Sequence, residues 1–178
     1  MGELTTIAWT DHTFNPWWGC THVSPGCYHC YAEVFDKRVG GSHWGAGAER
    51  RVFGEKHWRE PLKWNRDAEQ AGVRRKVFCA SMCDVFDPEG PDSERAKLWP
   101  LIQATPHLDW LLLTKRPQLA GRYLPWMQLA DDREPWLNVW IGATVEDQER
   151  ADLRIPVLMK IPAVIRFLSV EPMLEAID

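Results

Sequence analysis

A chain of 178 residues and 20.6 kDa is long enough for one domain with a full core, and shorter than the roughly 250 residues of a complete eight-unit β/α barrel. Its 45% hydrophobic and 26% charged residues are those of a globular domain, and no apolar run approaches the roughly 20 residues of a membrane span. Twenty-five acidic against 21 basic residues leave a net charge of −4, without the cationic surplus of a dedicated nucleic-acid binder, and no basic-then-apolar leader is read at the N-terminus, so a cytoplasmic protein is expected.

In chain order, residues 1–178 read as a single domain in two parts. Residues 1–75 hold a cysteine loop and most of the tryptophans. Ile7-Ala8-Trp9 begins or precedes a first strand, and the stretch from Asn15 to Gly26 is loop-like, with turns at Pro16, Gly19, Pro25 and Gly26. Tyr31 to Arg38 is a short helix candidate starting directly after Cys30. Gly40, Gly41, Gly45 and Gly47 then predict a long irregular segment carrying Trp44, His57, Trp58 and Trp64. Residues 76–178 repeat a βα theme. Its apolar runs are Lys76 to Ala80, Trp110 to Thr114, Val139 to Ala143 and Ile165 to Ser169, which lack clean alternation, as parallel strands covered on both faces do. Helices are expected over Glu94 to Gln103, capped by Asp92 or Ser93, over Lys115 to Gln128, and over Asp147 to Met159, where Pro156 should break or kink the helix near Ile155. Strand–helix–strand recurrence at this spacing makes the class α/β with a parallel sheet.

Five cysteines cannot all pair, and clustered cysteines in a chain without a leader are more often metal ligands than disulfides. Cys20, Cys27 and Cys30 are spaced C-x6-C-x2-C. Three thiolates can hold three irons of a 4Fe-4S cluster and leave the fourth open, whereas a structural zinc site takes four protein ligands. His22 or His29 would complete such a Cys3His zinc site, so spacing leaves both metals open. Pro25 and Gly26 supply the turn, and the helix after Cys30 directs N–H groups and its positive dipole end at the thiolates. Cys79 and Cys83 read as small apolar fillers, with the alternative that Cys83 faces the cluster.

Eleven tryptophans exceed what a core needs. Trp99, Trp110 and Trp140 read as core, while Trp9, Trp17, Trp18, Trp44, Trp58 and Trp64 crowd the cysteine-bearing part, where they would shield a cluster or stack on a base. Glu49 to Arg59, with Lys63 to Arg66 and Arg74 to Lys76, interleaves basic and aromatic residues. That pattern is either a nucleic-acid-like feature or a solvated face with snorkelling arginines.

The segments Trp17-Trp18-Gly19-Cys20, Gly26-Cys27-Tyr28-His29-Cys30-Tyr31-Ala32, Ser81-Met82-Cys83-Asp84-Val85-Phe86, Leu113-Thr114-Lys115-Arg116-Pro117, Gly142-Ala143-Thr144-Val145-Glu146-Asp147-Gln148 and Leu168-Ser169-Val170-Glu171-Pro172 together resemble a widespread family of bacteria, archaea and bacteriophages. That family resembles a branch of the radical S-adenosylmethionine (SAM) superfamily and is distantly similar to spore photoproduct lyase. The resemblance implies a partial (β/α) barrel of the radical SAM type with about five parallel strands, lacking the sixth. It also implies a 4Fe-4S cluster on Cys20, Cys27 and Cys30, SAM on the open iron, and an unidentified substrate, with a nucleic acid or modified nucleotide as a candidate. Two features depart from the pattern. The usual gaps are three and two with an aromatic residue before the last cysteine, whereas here the first gap is six and His29 holds that place beside Tyr28. Relatives continue into a sixth strand, so one wall of the barrel is expected to be absent here or supplied by a second subunit.

Reactive groups of parallel α/β folds gather at the carboxyl ends of strands, and polar residues fall there: Ser81 and Asp84, Thr114 with Lys115 and Arg116, Thr144 and Glu146, Ser169 and Glu171. Under the resemblance, Tyr28, His29, Ser81, Asp84, Lys115, Glu146 and Glu171 are the candidate SAM-binding residues. Asp84, Glu146 and Glu171 would be acceptors, and Lys115 or Arg116 would face a carboxylate or phosphate. Each of these could instead be a strand-end charge capping a helix. The alternative function is a non-catalytic, phage-encoded metal-binding module, with 4Fe-4S or zinc, that binds a host macromolecule through a tryptophan-rich face.

Overall fold

The computed structural model describes residues 5, 7–128 and 134–178. Its elements are β1 (His12–Phe14), β2 (Trp17–Trp18), α1 (Tyr31–Arg38), β3 (Arg51–Val52), α2 (Glu55–Gln70), β4 (Arg75–Cys79), α3 (Asp92–Gln103), β5 (Leu108–Thr114), α4 (Ala120–Tyr123), α5 (Pro125–Gln128), β6 (Val139–Thr144), α6 (Gln148–Leu158) and β7 (Ile165–Ser169). Strands β1, β4, β5, β6 and β7 form one parallel sheet in that order, and β2 pairs with β3 in a small antiparallel ribbon. The sheet is open, with β1 and β7 at its edges, so it is a five-stranded partial barrel of the expected class.

The two faces of the sheet are filled differently. On one, Val77, Trp110, Leu112, Ile141 and Ala143 are buried in the main core with Trp64, Leu98 and Ile102 from the covering helices, each large side chain contributing roughly 1.5–3 kcal/mol of burial. On the other lie Phe78, Leu111 and Phe167, and the Trp9 ring tilts over Phe78 at 4.7 Å. Gly142 is required here, because a Cβ at that position would run into the ring of Phe167, its neighbour in register on β7.

Several elements differ from the expectation. Ile7 to Trp9 precedes the first strand, which is His12–Phe14, where a buried histidine and a threonine break the apolar signature. Residues after Gly47 do not stay irregular: α2 runs for 16 residues and keeps Pro61 inside it. Trp58, Pro61, Leu62, Asn65 and Ala68 recur at helical spacing along its inner side, and that burial outweighs the missing proline N–H. The helix expected over Lys115 to Gln128 is a 3-10 turn, Pro117–Leu119, followed by α4 and α5. The break falls at Leu124, which is extended (φ −77, ψ 122) as a residue before proline prefers. Helix α6 passes through Pro156 without breaking. The proline, in the last turn, gives up the bond its N–H would make four residues back, and the ladder continues beyond it, with Met159 N–H reaching Ile155 O at 3.0 Å. At the other end of α6, Asp147 is the cap and not the first helical residue, accepting from Arg150 N at 2.7 Å. Pro91, not Asp92 or Ser93, holds the cap position of α3, and Asp92 and Glu94 complement the dipole in its first turn. No helix among the described residues is long and apolar enough to cross a membrane.

Candidate functional site

The carboxyl ends of β4 to β7 and the cysteine loop enclose a pocket of about 430 Å³. Trp9, Phe78 and Leu113 give it an apolar floor, and Cys20, Cys27, Cys30 and Cys83 all line it. Ser81, Asp84, Lys115, Thr144, Ser169 and Glu171 arrive from four successive strand ends.

The loop is built by short-range bonds. Gly19, at φ 111, donates its N–H to Met82 O at 3.0 Å and passes so close to His43 O that only glycine fits. Pro25–His29 is a 3-10 turn in which Cys27 N bonds Ser24 O at 2.9 Å, and α1 starts directly after Cys30. The Cys27 sulfur accepts from Val23 N at 3.5 Å, and the Cys20 sulfur accepts from Arg116 Nη1 at 3.5 Å. Behind the loop, Trp18 packs with Ala32, Met82, Trp44 and Cys30 in a separate apolar cluster. Trp17, Trp18 and Trp64 are therefore buried packing residues, whereas Trp9 and Trp44 reach the pocket.

Four buried charges brace one end of this loop. Arg116, 3% exposed, donates to Asp84 Oδ2 at 2.9 Å and to Thr21 O at 2.5 Å. Asp84 also accepts from the Thr114 hydroxyl, Lys115 N and Phe86 N. Asp87 takes Thr21 N at 3.0 Å and Arg50 Nη2 at 3.2 Å, while Arg50 Nη1 bonds the carbonyls of His43, Gly45 and Ala48. Burial opposes the charge on Arg116, and Asp84, Cys20 and Asp87 outweigh it, holding the guanidinium above its ordinary value. Burial pushes the Cys20 thiol up to about 12, Asp84 adds to this, and Arg116 opposes it. Burial raises the Cys83 and Cys79 thiols as well. Tyr31 is 61% exposed, but its hydroxyl end turns inward and donates to Ser81 O at 2.7 Å, where desolvation, with Cys30 and Cys83 nearby, raises it to about 12.

Of the residues singled out from sequence, Cys20, Cys27, Cys30, His29, Ser81, Asp84, Lys115 and Glu171 come together around the pocket. Tyr28 and Glu146 do not line it. Tyr28 is 78% exposed with its ring edge-on to His22. Glu146 is fully buried behind the loop: Oε2 pairs with Arg154 at 2.6 Å, Oε1 has no partner among the described residues, and its Cγ lies 3.2 Å from where a Gly26 Cβ would be. Within the basic–aromatic stretch, Arg50 is buried in the brace, Arg51 lies over Trp18 at 4.7 Å, Arg59 pairs with Glu55 and Arg74 with Asp109. Tyr31, Arg50 and Asp87 were not foreseen as part of the site; the Asp84–Asp87 pair after a strand is the one local signal for the last.

Three thiols on one pocket wall, two of them already accepting N–H bonds, are a donor set that suits a thiophilic metal or cluster. Among the described residues, no three His, Cys, Asp or Glu side chains are drawn together closely enough to hold an ion as they stand.

In fold, the chain is similar to a solved structure of a spore photoproduct lyase mutant with bound AdoMet and dinucleoside spore photoproduct, with a TM-score of 0.58 and 15% sequence identity. The similarity covers 92% of this chain and 46% of that one, so the chain spans about half the length of that structure. No curated protein matches the sequence. Residues 4–178 match the model of the family described as Protein of unknown function (DUF5131), and the chain belongs to that family.

Proposed function

We propose that this protein is a 4Fe-4S protein of the radical SAM type, with Cys20, Cys27 and Cys30 as the cluster ligands, SAM as the second occupant of the pocket and a nucleic acid or modified nucleotide as substrate. The observation that carries the reading is one pocket at the carboxyl end of a parallel partial barrel, in which the three motif thiols meet the polar strand ends. When bound, a reduced cluster supplies the electron that cleaves SAM so that a hydrogen atom can be taken from a substrate. The chain's own residues bind and orient. Among the described residues, neither the Lys115 ammonium nor the Glu171 carboxylate has an ion pair, and both line the pocket. They offer one cation and one anion to a ligand that carries both charges, as the amino acid end of SAM does. Ser81 and His29 add polar contacts, and the Trp9–Phe78 pair offers an apolar surface to the ligand.

Anaerobic purification with iron, sulfide and zinc analysis tests the proposal. About four irons and four sulfides per chain are expected, lost in Cys27→Ala, with SAM binding and formation of 5′-deoxyadenosine after reduction. Stoichiometric zinc without sulfide overturns the cluster, and a reduced, iron-loaded protein that neither binds nor cleaves SAM overturns the enzymatic part.

A further inference from the structure

We infer that Arg116 is the positioning residue of Cys20, the ligand at the far end of the long first gap; this rests on the metal-centre reading proposed above. Cys27 and Cys30 are set by the 3-10 turn, through Cys27 N to Ser24 O and Cys30 N to Cys27 O. Six residues separate Cys20 from Cys27, so that turn does not orient the first sulfur. Arg116 does. From the exit of β5, 96 positions away in sequence, its Nη1 donates to Cys20 Sγ at 3.5 Å and its Nη2 to the next carbonyl, Thr21 O, at 2.5 Å. The guanidinium is itself fixed by Asp84 Oδ2 at 2.9 Å and by Asp87 Oδ1 at 3.5 Å, and its own backbone N–H bonds the Thr114 hydroxyl at 2.8 Å. Asp87 closes the ring by holding Thr21 N.

A planar fork is needed for this, because one side chain must meet a sulfur, a carboxylate and a carbonyl in fixed directions, which a lysine cannot do. The Cys20 sulfur thereby receives a charge-assisted N–H bond, while the Cys27 sulfur receives a backbone N–H from Val23. The six-residue gap is tolerated because the brace does for Cys20 what a tight turn does for its two partners.

Anaerobic titration of the full chain with Co(II), a thiophilic probe that needs no sulfide, reads the number of thiolates from the intensity of the sulfur-to-cobalt charge-transfer band per bound ion. The unaltered protein is expected to show a three-thiolate band, and Cys20→Ser a band about a third weaker. Arg116→Met is expected to fall to the Cys20→Ser level with its circular dichroism unchanged. Should Arg116→Met not fold, Asp84→Asn/Arg116→Met, which removes both buried charges together, replaces it in the same comparison. An arginine variant with the full three-thiolate band overturns the role of Arg116 and leaves the metal centre standing. An unaltered protein no stronger than Cys20→Ser removes Cys20 as a ligand, and both the metal-centre reading and this inference fall with it.

Discussion

Asp84→Asn is the most direct probe of the brace. The carboxylate is 5% exposed and takes bonds from the Arg116 guanidinium, the Thr114 hydroxyl and two backbone N–H groups. An amide keeps one acceptor oxygen and turns an NH2 group towards Arg116 or Lys115 N. Arg116 is then left with Asp87 as its only carboxylate, at 3.5 Å. Breaking a buried pair in this way costs about 3–5 kcal/mol, and the surviving Asp87 contact puts the expectation near the lower end, about 3 kcal/mol. With a urea slope of about 2 kcal/mol/M, the unfolding midpoint should fall by about 1.5 M without a change in slope. Equilibrium urea unfolding of the metal-free protein, followed by tryptophan fluorescence, measures this, and Asp84→Asn/Arg116→Met should recover much of the loss. A fall below about 0.5 M would be the size of a solvated surface bridge and would refute a desolvated brace.

Gly142→Ala drives a methyl group into the Phe167 ring and should cost about 1–3 kcal/mol; thermal unfolding checks it, and an unchanged midpoint would show that β7 gives way freely. Gly26→Ala places a Cβ 3.2 Å from Glu146 Cγ, Cδ and Oε1, so the Glu146 side chain, held by Arg154, or the loop must give by a few tenths of an ångström, costing about 1 kcal/mol and weakening cobalt uptake; tighter or equal uptake contradicts the packing. Because the Cys20 thiol, 9.0 in its ordinary state, is pushed up to about 12 in the fold, the native state holds a proton that the unfolded chain has lost between those values. The metal-free protein should therefore lose stability as pH rises through that window, measured as a falling urea midpoint. Metal binding must expel the same proton, so cobalt affinity should climb with pH and the calorimetric heat should vary with the buffer; a buffer-independent heat would sink this.

The sheet was legible because parallel strands buried on both faces write themselves as apolar runs. Ile165 to Ser169 matches β7 residue for residue, and the other three runs fall within two residues of their strands at either end. The Tyr31–Arg38 helix and the convergence of cysteine loop and strand ends on one pocket were legible for the same local reasons. What escaped depends on contacts distant in sequence. Helix α2 hides behind four glycines and Pro61, and only its inner stripe against the sheet reveals it. Arg50 reads in sequence as one of a row of cations, yet its direction is decided by Asp87, 37 positions on.

The strand-end carboxylates show the same limit most sharply. Asp84, Glu146 and Glu171 look alike in sequence, each two to five residues past a strand, yet their chemistry is decided by which cation reaches them first. Asp84 is claimed by Arg116 from the next strand exit, and Glu146 by Arg154 two turns along its own following helix. Glu171 follows the edge strand β7, where no described residue supplies a cation, and of the three it is the one that lines the pocket without an ion pair. Among the cations the sorting is parallel: Arg116 is consumed in the brace, and Lys115, one residue earlier, points its backbone N–H at Asp84 and leaves its ammonium without an ion pair among the described residues. A strand-end charge is thus a credible ligand contact only when no partner within the fold can reach it, and that criterion separates Lys115 and Glu171 from residues that sequence position alone ranks as their equals.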